Sequence, residues 1–274
     1  MLRVTATTQL MKEIVELLSV VTDEAKMSWG ENGVTVIVVD GGMVSMLSAT
    51  ISDACFETYE CEPVIIGMEL GKMKDLLTLA GPSDLVEIEY DDAVGTISVR
   101  VGQVHRLLRG LDTNTMKDSK TPRLKWQEYG GATIDSEKFS RSLRAAKLVG
   151  ELVDFRIDSK SFGVSVEVEA GEGVNVSFES GELIELAPPP PPSPPDNWDE
   201  EVEGVWKPPQ AYDGTANGTY SLQYLDPLSR KIASGLANDV QVRFRDGHPL
   251  RLDWSSNEGG ASWAYFLAPR VTNE

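Results

Sequence analysis

The stretch VTATTQLMKEIVELLSVVTDEAKMSWGENGVTV, residues 4–36, decides the fold because its pattern returns in ATIDSEKFSRSLRAAKLVGELVDFRIDSKSFGVSV, residues 132–166. Each begins with a short β-branched strand, continues with an amphipathic helix and ends in two alternating stretches around a glycine-containing turn. The helical apolar positions are Leu10, Ile14, Leu17, Leu18 and Val21 in the first stretch, and Phe139, Leu143 and Ala146 in the second. A repeat offset by about 130 residues predicts two related domains.

A second pair of stretches shows where the two halves differ. GMELGKMKDLLTLAGPSDLVEIEY at 67–90 resembles YSLQYLDPLSRKIASGLANDVQVRF at 220–244. Each combines a strand, a short helix and an alternating strand, now offset by about 154 residues. About two dozen extra residues therefore lie inside the second half, and the proline-rich, acidic stretch at about 188–214 falls in that interval. We interpret it as an insertion between two strands.

The joint between the domains lies elsewhere. Residues 112–131 are polar and aperiodic, with Pro122 and a glycine pair, which is typical of a connector. We expect an N-terminal domain at 1–111, a connecting loop at 112–131 and a C-terminal domain at 132–274. Many alternating strands and few helices predict an α+β fold, with antiparallel sheet and two helices in each domain.

The proline run itself predicts a stiff polyproline arm. Its acidic end contains Trp198 and Trp206, which are too apolar for a passive spacer. We expect this arm to project and its Trp-containing end to pack back onto the protein or to hold a partner.

Composition limits the class of protein. The 274 residues carry a net charge of −18, and 41% are hydrophobic, enough for a core. This charge argues against non-specific attraction to nucleic acid or anionic membranes. Cys55 and Cys61 do not make a disulfide framework, and no signal core or long apolar run occurs, so a soluble, cytoplasmic protein is expected.

Enzyme signals are weak. His105 and His248 have no partners at a recognisable spacing, and the usual phosphate-loop, nucleophile-elbow and zinc motifs are missing from the sequence. We therefore expect no catalytic residues, no metal and no cofactor. The alternative of a hydrolase that uses acid pairs in a cleft is disfavoured because the sequence offers no base and nucleophile set.

Positive charge collects on helices. Lys138, Arg141, Arg144 and Lys147 are spaced three apart beside the apolar stripe of their helix. Arg230 and Lys231 lie on a second helix, and Lys72 and Lys74 on a third. A solvated helix face would explain one such helix, but recurrence on several indicates a surface that meets phosphate. Because no base-reading motif accompanies them, the contact would be independent of sequence.

The order of several motifs resembles the sliding clamp family of archaea and eukaryotes, the proliferating cell nuclear antigen family. The motifs are VVDGGMVSM at 38–46, FETYEC at 56–61, GMELGKMKDLLTLAG at 67–81, YSLQYLDPLSRKI at 220–232 and YFLAPRV at 265–271. The resemblance implies a DNA repair and replication clamp of archaeal type: a pseudo-sixfold ring from three head-to-tail copies, paired through edges at about 103–110 and 174–180. Duplex DNA passes through the hole, and the ring tethers DNA polymerase as a processivity factor.

The resemblance also implies two sets of site residues. Arg141, Arg144 and Arg230 correspond to the family's inner basic residues, Lys12 fits them too, and Lys72 and Lys74 lie on the matching helix but displaced. Lys138 and Lys147 follow only from helix geometry, and Lys231 adjoins Arg230. The second set forms the pocket for a partner's short motif: Val39, Val44, Met46, Leu124, Trp126, Pro249, Phe266, Ala268, Pro269 and Arg270.

The implied partners are duplex DNA, DNA polymerase, a clamp loader and other proteins with a clamp-binding motif, and no membrane; the protein would act at the nucleoid. Two other functions are compatible with the same fold. One is a specialised or checkpoint-type clamp, or one subunit of a heterotrimer. The other is a scaffold that does not bind DNA but uses the same pocket.

Overall fold

The computed structural model describes residues 1–81, 83–167, 171–191, 205 and 212–270. They form two compact units. The first unit comprises 1–122, 230–237 and 253–266, and the second comprises 123–229, 238–252 and 267–274. The chain thus first changes unit inside the predicted connector, but two later segments also belong to the first unit. The limits 1–111, 112–131 and 132–274 stay a prediction.

The helices and strands follow the predicted order. Up to the connector they are β1 (Leu2–Thr7), α1 (Thr8–Leu18), β2 (Glu24–Gly30), β3 (Gly33–Val39), β4 (Ser45–Ser52), β5 (Thr58–Cys61), β6 (Val64–Glu69), α2 (Leu70–Leu77), β7 (Leu85–Asp91), β8 (Thr96–Val101) and β9 (Val104–Arg109). After it they are β10 (Gly130–Asp135), α3 (Ser136–Lys147), β11 (Leu152–Ile157), β12 (Ser161–Glu167), β13 (Gly173–Glu179), β14 (Glu185–Ala187), β15 (Ala216–Ser221), α4 (Leu222–Lys231), β16 (Asp239–Phe244), β17 (Leu250–Ser256) and β18 (Ala261–Leu267).

The first unit contains two antiparallel arrays of strands. One has the order β5-β1-β7-β8-β9, in which Val4 lies opposite Ile88. The other runs β18-β4-β3-β2-β6, with Val39 opposite Met46. Alternation along β1 buries Leu2 and Val4 and exposes Arg3, so one face of the sheet enters the core. This is the sheet class that the sequence predicts.

The second unit has the same construction. Its strands form the orders β13-β12-β11-β15 and β14-β10-β16-β17. Phe155 on β11 stands at the centre of its aromatic core, with ring centroids of Phe162, Tyr220 and Phe244 between 5.5 and 5.9 Å away. Rings at these separations pack favourably beyond the area that they bury.

Equivalent caps start the first helix of each half. The Thr7 side chain accepts a hydrogen bond from the Leu10 amide, and the Asp135 carboxylate accepts one from the Lys138 amide. Each satisfies an amide that the first helical turn leaves without a partner. The predicted apolar positions are buried in both halves, but Val21 lies beyond the end of α1 at Leu18 and not on the helix. The two halves of the chain thus share the same kind of helix cap and the same buried helix face.

In the sequence, the insertion lies between two strands of the second unit. β14 ends at Ala187 and β15 begins at Ala216. Near its base, Pro189 is buried and its carbonyl oxygen accepts a hydrogen bond from the Tyr212 hydroxyl. The predicted packing of Trp198 and Trp206 lies outside the described residues.

A buried carboxylate joins α1 to residues 253–266 of the first unit, which contain the end of β17 and the turn into β18. Glu13 is 4% exposed. It accepts hydrogen bonds from the Ser256 hydroxyl, from Asn257 Nδ2 at 3.0 Å and from the Trp263 indole nitrogen at 3.1 Å. A buried acid is tolerated only when its oxygens are bonded in this way.

We therefore expect Glu13→Ala to lower the free energy of unfolding by about 2 kcal/mol or more, since the Ser256 hydroxyl would lose its acceptor and Asn257 and Trp263 would retain only the Ser256 oxygen. Glu13→Gln should lower it less, because an acceptor oxygen remains. Urea denaturation of the variants at equal protein concentration measures this. The matched control is Glu137→Ala at an exposed helical acid. Equal losses for Glu13→Ala and this control would contradict a core role for Glu13.

Candidate nucleic-acid interface and partner site

Helix α3 of the second unit presents four cations to solvent. Its apolar face, Phe139, Leu143 and Ala146, is at most 1% exposed. The exposed cations are Lys138, Arg141, Arg144 and Lys147, and none makes an ion pair with the described residues. Lys138 and Lys147 are nine positions apart, so the four cations extend about 13.5 Å along the helix axis. One face of α3 is thus buried in the core, and the opposite face carries cations that make no ion pair with the described residues.

The other helices carry fewer exposed cations. Lys74 on α2 is exposed and Lys12 on α1 is partly buried. Lys72 Nζ lies 2.6 Å from Glu69 Oε2. At the end of α4, Arg230 is exposed, whereas Lys231 makes an ion pair with Glu16 on α1. All nine predicted DNA-contacting residues lie on helices, and their contact with DNA stays a prediction.

A tight loop in the first unit holds three of the predicted pocket residues. Val39 and Met46 face each other across β3 and β4, and Val44 lies in the loop between these strands. All three are partly buried. The half-buried Asp40 carboxylate accepts hydrogen bonds from the amides of Gly42 at 2.9 Å, Val44 at 2.7 Å and Ser45. Asp40 therefore fixes the loop that carries Val44.

Asp40 was not among the predicted site residues, although the sequence carries a signal for its role. An aspartate before a glycine pair favours a turn closed by its own side chain. Burial raises the pKa of this carboxyl, but the amides of Ser45, Gly42 and Val44 together outweigh that effect and hold the pKa below its ordinary value. The loop is thus stabilised by the ionised acid.

An aromatic cluster surrounds the predicted connector residues of the second unit. Trp126 and Tyr129 have ring centroids 4.7 Å apart, and the guanidinium carbon of Arg251 lies 5.2 Å from the Trp126 centroid. The Tyr129 hydroxyl is 2.9 Å from His248 Nδ1, next to Pro249. Burial raises the pKa of the Tyr129 phenol. Leu124, Trp126 and Pro249 are all partly buried, so each retains exposed apolar surface.

The last described residues complete the predicted set. Phe266 is 5% exposed, whereas Ala268 and Pro269 are partly exposed. The Arg270 amide donates a hydrogen bond to the Thr219 carbonyl at 2.8 Å, so this amide already has a partner within the second unit. Within each unit the structure groups the predicted pocket residues, namely Val39, Val44 and Met46 in one, and Trp126 with the His248–Pro249 turn in the other.

The acids, cysteines and histidines of the described residues are the side chains that could hold a metal ion or transfer a proton. No group of three His, Cys, Asp or Glu side chains there is placed to hold a metal ion. His105 Nε2 lies 2.9 Å from Ser98 Oγ on an exposed strand face, and no acid orients this histidine in the described part of the chain. None of the described helices is long and apolar enough to cross a membrane.

Comparisons with known proteins agree along the whole chain. Residues 1–106 match the family model of the N-terminal domain of proliferating cell nuclear antigen. The DNA polymerase sliding clamp of Methanoregula boonei is 26% identical over 273 residues, 99% of each chain. That of Haloarcula marismortui is 23% identical over 262 residues, 95% of this chain and 94% of the relative.

Solved structures show the same fold. The proliferating cell nuclear antigen of A. fulgidus, solved with the C-terminal region of FEN-1 bound, superposes with a TM-score of 0.83 at 23% identity and full coverage of both chains. The antigen of Thermococcus kodakaraensis gives a TM-score of 0.79 at 19% identity, covering 98% of this chain and 100% of that one. The predicted clamp fold is confirmed.

Because the pKa of Asp40 is lowered in the folded state, its contribution to stability is present above the ordinary aspartate pKa of about 3.9 and is lost as pH falls through the folded value. We expect Asp40→Ala to lower the free energy of unfolding by about 1–2 kcal/mol at pH 7. The difference from wild type should shrink near pH 3.5. Urea denaturation at both pH values measures it, with Glu31→Ala in the β2–β3 turn as the control. A difference for Asp40→Ala that does not change with pH would contradict the role of the ionised acid.

Proposed function

We propose that this chain is a DNA sliding clamp of the proliferating cell nuclear antigen family, which forms a ring around duplex DNA and acts as a processivity factor for DNA polymerase. Two clamp domains, 1–111 and 132–274, joined by the connector 112–131, would supply a third of this ring. The ring carries out no catalysis and needs no cofactor. It raises the effective concentration of a bound polymerase at the primer end.

The observation that carries the proposal is the unpaired cationic face of α3 in a chain of net charge −18. Four cations on one exposed helix face, with no base-reading side chains beside them, suit phosphates of any sequence. The acidic remainder of the surface repels DNA elsewhere. Contact restricted in this way would hold the ring on DNA and let it move along the duplex.

The two sheet edges that the family pairs across subunits are end strands here. β9 has only β8 as a neighbour among the described strands, and β13 has only β12. Leu107 on β9 is 64% exposed and Val104 is 38% exposed. Pairing of β9 with β13 of a second copy would cover these side chains and satisfy both edges. Such head-to-tail pairing closes into a homotrimer when the rotation is threefold.

The pocket residues would receive partner proteins. In the first unit, the half-buried Val39, Val44 and Met46 offer apolar surface to the aromatic side chains of a short helical motif. In the second unit, the partly buried Trp126 of the connector offers apolar surface of its own. DNA polymerase, the clamp loader and repair proteins that carry a clamp-binding motif are the partners we propose. The protein would work with them in the cytoplasm, at the nucleoid.

We expect the triple variant Arg141→Ala, Arg144→Ala, Arg230→Ala to remain a trimer but to support DNA loading and polymerase stimulation at least about tenfold less well, since fewer cations would meet the phosphates. Light scattering measures the mass, which should be three times that of the 30.0 kDa chain. Primer extension with a clamp-dependent polymerase measures the stimulation.

The matched control removes three strand arginines, Arg3, Arg100 and Arg156, and should leave stimulation near the wild-type level. Unchanged stimulation in the helix variant would refute the DNA-contacting role of its three residues. A wild-type protein that stays a 30.0 kDa monomer would contradict the homotrimeric ring.

We expect Val44→Asp to weaken the binding of a peptide carrying the clamp-binding motif by about tenfold or more, because a charge would enter an apolar contact. Isothermal titration with that peptide measures the loss. Ile65→Asp, at an exposed apolar residue of β6, is the matched control and should bind normally. Equal affinities for the Val44 variant and wild type would place the peptide site elsewhere.

A further inference from the structure

Some of the predicted DNA-contacting cations already form an ion pair with an acid of the protein, and others do not. Lys231 Nζ contacts Glu16 Oε2, with side-chain exposures of 41% and 32%. Lys72 Nζ lies 2.6 Å from Glu69 Oε2, with exposures of 50% and 40%. Each pair therefore joins one predicted DNA-binding lysine to a carboxylate that the sequence pattern did not connect with it.

A lysine held in this way offers little to a phosphate. Affinity for DNA rises when a protein cation replaces counterions condensed on the duplex. Lys231 and Lys72 would first have to leave their carboxylates, and each carboxylate would then remain beside the incoming phosphate and repel it. The local charge at either pair is close to zero whether the pair is open or closed.

Helix α3 is different. It carries four cations against one acid, Glu137 in its first turn. Neither Glu137 nor any of the four cations makes an ion pair with the described residues. Glu137 also lies where a negative charge favours the helix N-terminus. Arg141 and Arg144 can thus meet phosphates without breaking an ion pair first.

We propose that Glu16 and Glu69 compete with DNA phosphates for Lys231 and Lys72, respectively. Helix α3 of the second unit would then supply most of the ring's affinity for DNA. This inference rests on the proposed function. The two acids act as internal competitors, and they limit how tightly the clamp holds the duplex.

A double-mutant cycle in the full-length protein tests the first pair. The variants are Lys231→Ala, Glu16→Gln and the combination, with Arg144→Ala for comparison. Fluorescence anisotropy of a labelled short duplex, over a series of salt concentrations, gives the dissociation constant and its salt dependence. Light scattering checks that each variant keeps the wild-type oligomeric state. The same cycle with Lys72→Ala and Glu69→Gln tests the second pair.

We expect Arg144→Ala to weaken binding at least about fivefold and to lower the salt slope by about 0.9 for each phosphate that is no longer neutralised. In the wild-type background Lys231→Ala should weaken binding clearly less than Arg144→Ala. Glu16→Gln should tighten binding about threefold, because Lys231 becomes available to a phosphate. The double variant should not show that gain.

Glu137→Gln is the control for net charge, because it removes an exposed acid without freeing a lysine. Its effect should be the same whether or not Lys231 is present, whereas that of Glu16→Gln should need Lys231. The inference is overturned if Lys231→Ala weakens binding as much as Arg144→Ala, or if Glu16→Gln acts equally without Lys231. If wild type and all variants fail to bind the duplex even at the lowest salt concentration, this inference is overturned, whereas the proposed function is decided separately by the stimulation of the polymerase in primer extension.

Discussion

Burial of one face of each helix against antiparallel sheet is the constraint on which the rest of this molecule depends. Phe139, Leu143 and Ala146 must leave water together, and helical geometry then directs the opposite side of the helix outward. Lys138, Arg141, Arg144 and Lys147 occupy those outward positions. The apolar pattern that holds α3 in the core therefore also decides where positive charge can be presented.

Local features of the fold could be predicted from sequence because their causes are local. The 3.6-residue periodicity and the turn glycines locate the helices and hairpins, and the repeat shows that Thr7 and Asp135 occupy equivalent starts. The proline insertion could be assigned to a gap between strands for the same reason: the offset between repeats changes there. What the repeat could not predict is how the chain exchanges segments between compact units, since that depends on contacts between residues far apart in sequence.

Polar contacts across the chain could not be foreseen. Glu13 follows Lys12 and reads as one more exposed helical acid, yet Ser256, Asn257 and Trp263 enclose it. Glu16, one turn later, meets Lys231 from a distant helix. Two acids of one helix thus have opposite roles: one is a buried acceptor that supports the fold, and the other offsets a surface cation. The spacing of the two acids along α1 shows only that they lie on different faces of the helix. Their partners depend on the tertiary structure.

The same reasoning bears on how a clamp can hold DNA and still move. Affinity from phosphate contacts grows with the number of cations that replace counterions, and tight binding at many points would slow movement along the duplex. A chain of net charge −18 avoids this in two ways. Acids outnumber basic residues, 43 to 25, and acids also lie beside some of the cations that face DNA in the proposed ring. The affinity of the clamp for DNA then depends on how many cations remain unpaired rather than on how many the sequence contains. For this reason a count of basic residues overstates the electrostatic attraction to DNA. The attraction depends on which of these residues form ion pairs with acids of the protein.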